Sequence, residues 1–402
     1  LQLVPDDIVI NRTSIDYAQI ASVSRLFNER LSVIMGARAD SLYRAVRNRI
    51  GRDPVTNLPI LGAPANAGQP AIPGDKMITR ADPRSYNAGA VFFIVPSVGV
   101  YANYAETFRP PAGAGNNLID GTPPGVSSST GYDVGIKLEL LDGRVAGSVG
   151  YYTNEQDGRI INGPMATQIN RIWTNLNQVD RRVSYRDNES WRGTGYEIDL
   201  TANLTKQWRL TFNFALPETE QIDIAPGFRG YVATHLETWQ AAAADTTNPN
   251  RGQIQNDLDA IQNEISGFAQ GRRLNNTYDY TSNIYSTYRF EGGALKGWSL
   301  GGGANFRGGA VIGNTAASAF DYLYSEAYYV ATAHVSYQRR FGNVQARFQL
   351  NISNLFDNDA LITTNYGNYR VGGLNSNPVQ QLRNAYRYLD PRKAVLSATF
   401  SF

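Results

Sequence analysis

The sequence has no cysteine and only two histidines in 402 residues. Without cysteine there is no disulfide framework, no thiolate metal site and no cysteine nucleophile. Long apolar runs are missing as well. The longest, Ala88 to Val95, spans eight residues, far below the ~18 that a membrane-crossing helix needs. A surplus of one charge is also lacking. The 37 basic and 35 acidic residues leave a net charge of +2, which gives no electrostatic case for nucleic acid as a partner. No export signal stands at Leu1, so the expectation is a fragment whose signal lies upstream.

What is present is tyrosine, glycine and scattered apolar residues: 24 Tyr, 38 Gly and a hydrophobic share of 42%. The dominant pattern is alternation with period two, which places successive side chains on opposite faces of a strand. Tyr132, Val134, Ile136, Leu138 and Leu140 alternate with Asp133, Gly135, Lys137 and Glu139. Tyr196, Ile198, Leu200, Ala202 and Leu204 alternate with Glu197, Asp199, Thr201 and Asn203. The same rhythm runs from Trp208 to Leu216, from Tyr329 to Tyr337, from Val344 to Ile352 and from Ala394 to Phe402. Aromatic residues often end the apolar faces, where a part-apolar, part-polar ring suits a membrane interface. The opposite faces carry charge and need water. Ile198 is therefore expected to face lipid and Thr201 to face a wet lumen.

Thirteen strands are expected near residues 15–26, 31–42, 88–95, 98–107, 131–141, 144–154, 195–204, 208–216, 279–290, 298–307, 328–338, 344–353 and 393–402. Their joins alternate between short and long. The long ones cover 43–87, 108–130, 155–194, 217–278, 308–327 and 354–392. Short periplasmic turns facing long extracellular loops are the pattern of a bacterial outer-membrane barrel, whereas a compact soluble domain seldom has so many long loops on one side. The fold class expected is all-β, a transmembrane antiparallel β-barrel. Thirteen strands is an odd number, and closure without unpaired backbone in lipid needs more. Further strands are therefore expected before Leu1. In loop 217–278, Ile254, Leu258, Ile261, Ile265 and Phe268 recur at spacings of four and three. They predict one amphipathic helix, an excursion packed on the barrel mouth. The Pro- and Gly-rich loop 43–87 reads as irregular and mobile.

Several segments resemble TonB-dependent outer-membrane receptors. They are "LSVIMGARAD" at 31–40, "YANYAETFRPP" at 101–111, "GYEIDLTANLTKQWRLTFNFA" at 195–215, "NISNLFDN" at 351–358 and the closing "RKAVLSATFSF". The resemblance covers nearly the whole chain, but only the C-terminal portion of the family's barrel. It implies that residues 1–402 are the last ~13 strands of a barrel of roughly 22, wide enough to need a plug. The plug, the segment that contacts the TonB complex and the first strands would lie outside this chain. The implied function is energised import of a scarce large nutrient (a ferric siderophore, a cobalamin-like compound or a glycan) across the bacterial cell outer membrane. A passive porin-like channel and an adhesive barrel are the alternatives. Implied partners are outer-membrane lipid, the TonB complex, the nutrient ligand and the barrel-assembly machinery. That machinery would capture the alternate positions Ala394, Leu396, Ala398, Phe400 and Phe402 of the last strand.

No catalytic set, cofactor site or metal site is expected. His334 falls on the lumen side of its strand and His235 in a long loop. A lone histidine of this kind is more often a hydrogen-bonded structural residue than a base or ligand. Gly301-Gly302-Gly303 lies inside an alternating strand and reads as close packing, not a phosphate loop. Phe108-Arg109-Pro110-Pro111 partly resembles a haem-receptor motif, but no histidine follows until His235, which disfavours haem. Ligand contacts are expected from loop aromatics and a nearby arginine: Trp173, Trp191, Tyr322, Tyr324, Tyr366, Tyr369 and Arg370.

Overall fold

The computed structural model describes residues 9–48, 76–110, 118–119, 122, 124–162, 165–183, 186–315, 318–370 and 379–402. Thirteen strands form one continuous antiparallel sheet in which each pairs with its neighbours in sequence. They are β1 (Val9–Leu26), β2 (Leu31–Asn48), β3 (Arg84–Val95), β4 (Val98–Arg109), β5 (Ser127–Leu140), β6 (Val145–Asn162), β7 (Arg186–Asn203), β8 (Trp208–Ile224), β9 (Thr281–Arg289), β10 (Trp298–Arg307), β11 (Tyr328–Phe341), β12 (Val344–Ser353) and β13 (Lys393–Ser401). Every expected strand is there. Among the described residues β1 pairs only with β2, and β13 only with β12, along their full lengths.

Register turns the separate alternations into two surfaces, because directly opposite residues share a face. One row runs Ala102, Val134, Tyr151, Tyr196, Leu216 across β4 to β8. Another runs Leu300, Val335, Leu350, Leu396 across β10 to β13. On the other face Lys137, Ser148, Asp199, Asn213, Asn283 and Asn305 follow one another across β5 to β10. Ile198 stands opposite Val149 and Phe214 on the apolar surface, and Thr201 stands on the polar one. The apolar surface is open: Ile136 is 46%, Leu300 50% and Leu396 75% exposed. An apolar patch of this extent cannot face water in a lone soluble molecule; it requires lipid.

Two aromatic belts bound that surface. On the loop side Tyr104 meets Tyr132 (ring centroids 5.0 Å apart), Tyr151 meets Tyr196 (5.1 Å) and Phe306 meets Tyr329 (5.9 Å). On the turn side Trp298 meets Tyr337 (5.1 Å) and Phe348 meets Phe400 (6.1 Å). From Trp298 to Phe306 is eight residues. At ~3.4 Å per residue this is roughly 27 Å along the strand. A tilt of about 40° brings it near 21 Å, close to the apolar band of outer-membrane barrels.

The inward surface is packed by rings laid over glycine. Tyr101 covers Gly135 and Gly150, Tyr152 covers Gly195, and the His334 ring covers Gly301. The glycine triplet is thus a close-approach site within β10, as its place in an alternating strand implies. His334 also stacks nearly parallel to Tyr285 and contacts its hydroxyl, in keeping with a structural wall residue.

The loop side differs from expectation in three ways. First, the helical excursion is three helices, not one, and draws on two loops: α1 (Ala166–Asn175) from one, α2 (Pro226–Ala244) and α3 (Arg251–Ser266) from the other. A single amphipathic helix cannot bury its stripe alone; here Ile254, Leu258 and Ile261 of α3 pack with Ile169, Ile172 and Trp173 of α1 and with Phe228, Val232 and Trp239 of α2. The buried Asp257 of α3 takes a bidentate hold from Arg171 of α1 at 2.6 and 2.9 Å. Asp187 of β7 accepts from the backbone N–H of Phe228 at 2.7 Å and of Gly227 at 3.3 Å. It thereby caps α2, whose first N–H groups have no partner within the helix. Second, two hairpins stand in the long loops 308–327 and 354–392, for which no strand was expected: Val311–Asn314 with Tyr322–Tyr324, and Leu361–Arg370 with Val379–Tyr388. Third, Lys76–Ala81 pairs with the outer end of β2, so the loop expected to be irregular contains strand at both ends; its residues 49–75 lie outside the described ones.

Candidate functional site

The outer ends of β7 and β8 continue past the aromatic belt as a two-stranded ribbon. Gly195 is opposite Pro217, Gly193 opposite Thr219, and Trp191 opposite Gln221. These positions share the parity of Glu197 and Asp199, so Trp191 stands on the inward surface. The short strand Arg272–Arg273 follows α3 and adds to the edge of β8. The hairpin 311–314/322–324 closes the far side. Together they enclose a cleft of about 530 Å³ whose lining includes Trp191, Pro217, Thr219, Arg272, Arg273 and Tyr322.

Each functional side chain is held. The Arg159 guanidinium lies 3.5 Å from the centre of the Trp191 ring. Arg159 is fixed in turn by Glu189 at 3.0 Å, which also accepts from Gln221 Nε2 at 2.8 Å. Trp191 Nε1 is buried with no hydrogen-bond partner among the described residues. Arg272 donates to Gln221 Oε1 at 2.8 Å. The backbone N–H of Arg273 donates to Tyr322 Oη at 3.0 Å, and its guanidinium to Tyr324 Oη at 3.0 Å. Glu218 at 3.6 Å and Asp279 at 3.4 Å flank Arg273. The cleft is thus lined by two arginines, an indole and a phenol, Arg272 on the side of Gln221 and Arg273, opposite Glu220, held between Glu218 and Asp279. It suits a flat or aromatic anion, which stacks on the rings and takes the charge of the arginines.

Of the seven residues expected to contact ligand, Trp191 and Tyr322 line this cleft and Tyr324 braces it. Trp173 belongs elsewhere. It is fully buried in the helical core, its indole N–H donates to Tyr231 Oη at 2.9 Å, and His235 and Trp239 pack on its ring. None of its surface is left for a ligand. Tyr366 lies on the hairpin 361–370/379–388, where its hydroxyl accepts from Arg383 Nε at 3.2 Å. Arg383 pairs with Glu326, whose carboxylate burial pushes up while the N–H and hydroxyl of Thr363 and the charge of Arg383 pull it down, the net shift being downward. The side chains of Tyr369 and Arg370 lie outside the described residues. Sequence reasoning missed Arg272 and Arg273. Their signal was faint: a Gly-Arg-Arg step just after a helical run, with no alternation around it.

A family model, "TonB dependent receptor-like, beta-barrel", matches residues 8–355. The catecholate siderophore receptor Fiu of Escherichia coli is 25% identical over 297 residues, covering 71% of this chain and 30% of that protein. The ferripyoverdine receptor of Pseudomonas aeruginosa is 22% identical over 325 residues, 78% of this chain and 30% of that protein. The crystal structure of Fiu in its closed form superposes with a TM-score of 0.54 at 18% identity, over 96% of this chain and 45% of that one. The siderophore receptor PiuA of Acinetobacter baumannii gives 0.56 at 15% identity, over 96% of this chain and 43% of that one. These structures share the fold, and the chain spans less than half the length of the relatives it matches.

Proposed function

We propose a function from one premise: this chain belongs to the TonB-dependent receptor β-barrel family. It is wall and outer loops of a bacterial outer-membrane barrel. The whole protein, we infer, imports a ferric siderophore through a plugged barrel, with energy delivered by the TonB complex. The plug and the TonB-contacting segment would come from outside these residues, and so would the strands that pair with the open edges of β1 and β13. The alternate apolar positions of β13, Ala394 to Phe402, would serve the barrel-assembly machinery as the strand it captures. The chain itself performs no covalent chemistry in this reading.

The observation that carries the proposal is the outer cleft. Arg272, Arg273, Trp191 and Tyr322 line one cleft at the loop side, where an anionic aromatic iron chelate would first be held. The relatives named for catecholate and pyoverdine ligands point the same way.

The test is radioiron uptake by the full-length receptor in an iron-starved host lacking its own catecholate receptors, with ferric tris(dihydroxybenzoate) as probe. Uptake should require both the receptor and TonB. Replacing Trp191 and Arg273 together by alanine should weaken surface binding by about tenfold or more. Uptake that persists without TonB would instead indicate a passive channel, and absence of uptake for every ferric chelate tried would refute the importer.

A further inference from the structure

The inward surface is divided by charge. Below the outer belt, β5 to β7 carry Asp133, Glu139, Glu197 and Asp199 against the single base Lys137. From β9 to β13 no inward position among the described residues is a carboxylate, while Arg289, Arg307, Arg340, Arg347 and Lys393 are basic. The outer cleft stands above the start of this carboxylate-free sector. Below it the wall is neutral and polar, with Asn213, Asn283, Asn305 and Thr332. At the turn-side end the basic groups converge. Arg289, Lys296, Arg340 and Arg347, with Ser336 and Gln338, line a second cleft of about 780 Å³. None of these four cations forms an ion pair among the described residues. One carboxylate, that of Glu291, also lines the cleft, and it accepts from Gln207 Nε2 at 2.8 Å. Like charges gathered in one open cleft repel unless an anion joins them. The size is that of a small-ligand site.

We propose that this turn-side cleft is an exit site for the anionic ferric chelate, reached from the outer cleft along the carboxylate-free half of the wall. The inference rests on the importer reading and adds to it the course of the ligand and its charge. A path needs sites that attract yet release. Exposed cations in an open, wet cleft meet that need, because solvent keeps the hold weak.

The test uses the full receptor purified in detergent. These residues lack cysteine, so in a receptor whose remaining part has been freed of any cysteine, Ala294→Cys beside the cleft can carry the single fluorophore, which bound iron quenches. Ferric tris(dihydroxybenzoate) should quench it saturably. An Arg289→Gln, Arg340→Gln, Arg347→Gln triple variant should raise the half-saturation concentration by about tenfold or more. Lysine at the same three positions should restore it, and an uncharged ferric hydroxamate should quench neither form. In cells the Gln variant should bind the probe at the surface as before but import it several-fold more slowly. Unchanged quenching in the Gln variant would overturn the exit site. So would a Lys variant as poor as Gln, or a Gln variant that admits bulky antibiotics, which would mean that the cations dock a polypeptide filling the lumen. Normal quenching without cellular uptake would leave the exit site standing and remove the importer reading instead.

Discussion

At the scale of single residues, the two faces of one strand make opposite demands. Leu200 stands opposite Phe212, midway between Trp208 and Leu216 on the apolar surface, whereas Thr201 faces inward opposite Thr211. Leu200→Arg should cost ~2–4 kcal/mol of folding stability in lipid, and Thr201→Arg far less; refolding titrations into lipid vesicles read both. His235 makes a different prediction. Burial, together with the nearby charge of Arg181, holds its imidazole below the ordinary value, among the rings of Trp173, Tyr231 and Trp239. A chain with the helices unfolded therefore takes up the proton more readily than the folded one. The contribution is intact above the unfolded value of ~6.5 and falls as pH drops from there toward the folded value. Hydrogen exchange in α2, taken relative to the intrinsic rate of an unprotected amide at each pH, should accelerate on going from neutral to mildly acidic pH, and His235→Gln should flatten that dependence. The same acceleration in the variant would clear His235 of the effect.

At the scale of elements, the helical cap stands or falls as a unit, because α1, α2 and α3 share one core drawn from two loops. Trp173→Ala removes one of its two fully buried tryptophans and should cost ~3–5 kcal/mol of cap stability. The expected result is protease cleavage within 166–175 and 226–266 while the wall strands, β7 and β8 between them included, stay protected. The elements also show where sequence is legible. Strands were readable wherever one face meets lipid and the other water, as in β5 and β11. Their loop-side ends were not: β7 begins at 186 rather than 195, and β8 runs to 224 rather than 216. Above the membrane neither face of that ribbon meets lipid, and polar partners such as the N–H groups of α2 satisfy its buried carboxylates, so Asp187, Asn188, Glu189, Glu218 and Glu220 show no alternation while the backbone ladder continues. α3 was readable from its stripe. α1 has a stripe of its own, Ala166, Ile169, Ile172 and Trp173, but over ten residues, too short a run to stand out; α2 was hidden because polar residues such as Arg229, Thr234 and His235 interrupt its apolar positions, which make sense only against α3. The outer cleft was half legible: the aromatics of Trp191 and Tyr322 could be named, but not their meeting, which depends on pairings between loops far apart in sequence. For β13, the exposed alternate set Leu396, Phe400 and Phe402 gives its own prediction. Phe400→Ser with Phe402→Ser should lower the yield of assembled barrel in cells more than it lowers refolding in vitro. Equal losses would assign these rings to wall stability alone.

At the scale of the whole molecule, the sheet is a partition between two solvents. Outward lie bands of aliphatic groups between aromatic belts. Inward lie polar groups, divided into an acidic sector and a basic one, with clefts at both ends of the basic sector. The cap and hairpins rise from the loop side. The most direct test uses a receptor freed of any cysteine outside these residues, which themselves have none. Single cysteines at successive positions 329–337 of β11, each bearing a nitroxide in the full receptor reconstituted into lipid, report collision with oxygen dissolved in the bilayer and with a water-soluble nickel chelate. The account predicts period-two alternation: oxygen contact at 329, 331, 333, 335 and 337, and nickel contact at the positions between. Protection from both reagents at the odd positions would mean that the apolar surface is buried against protein, and would contradict it.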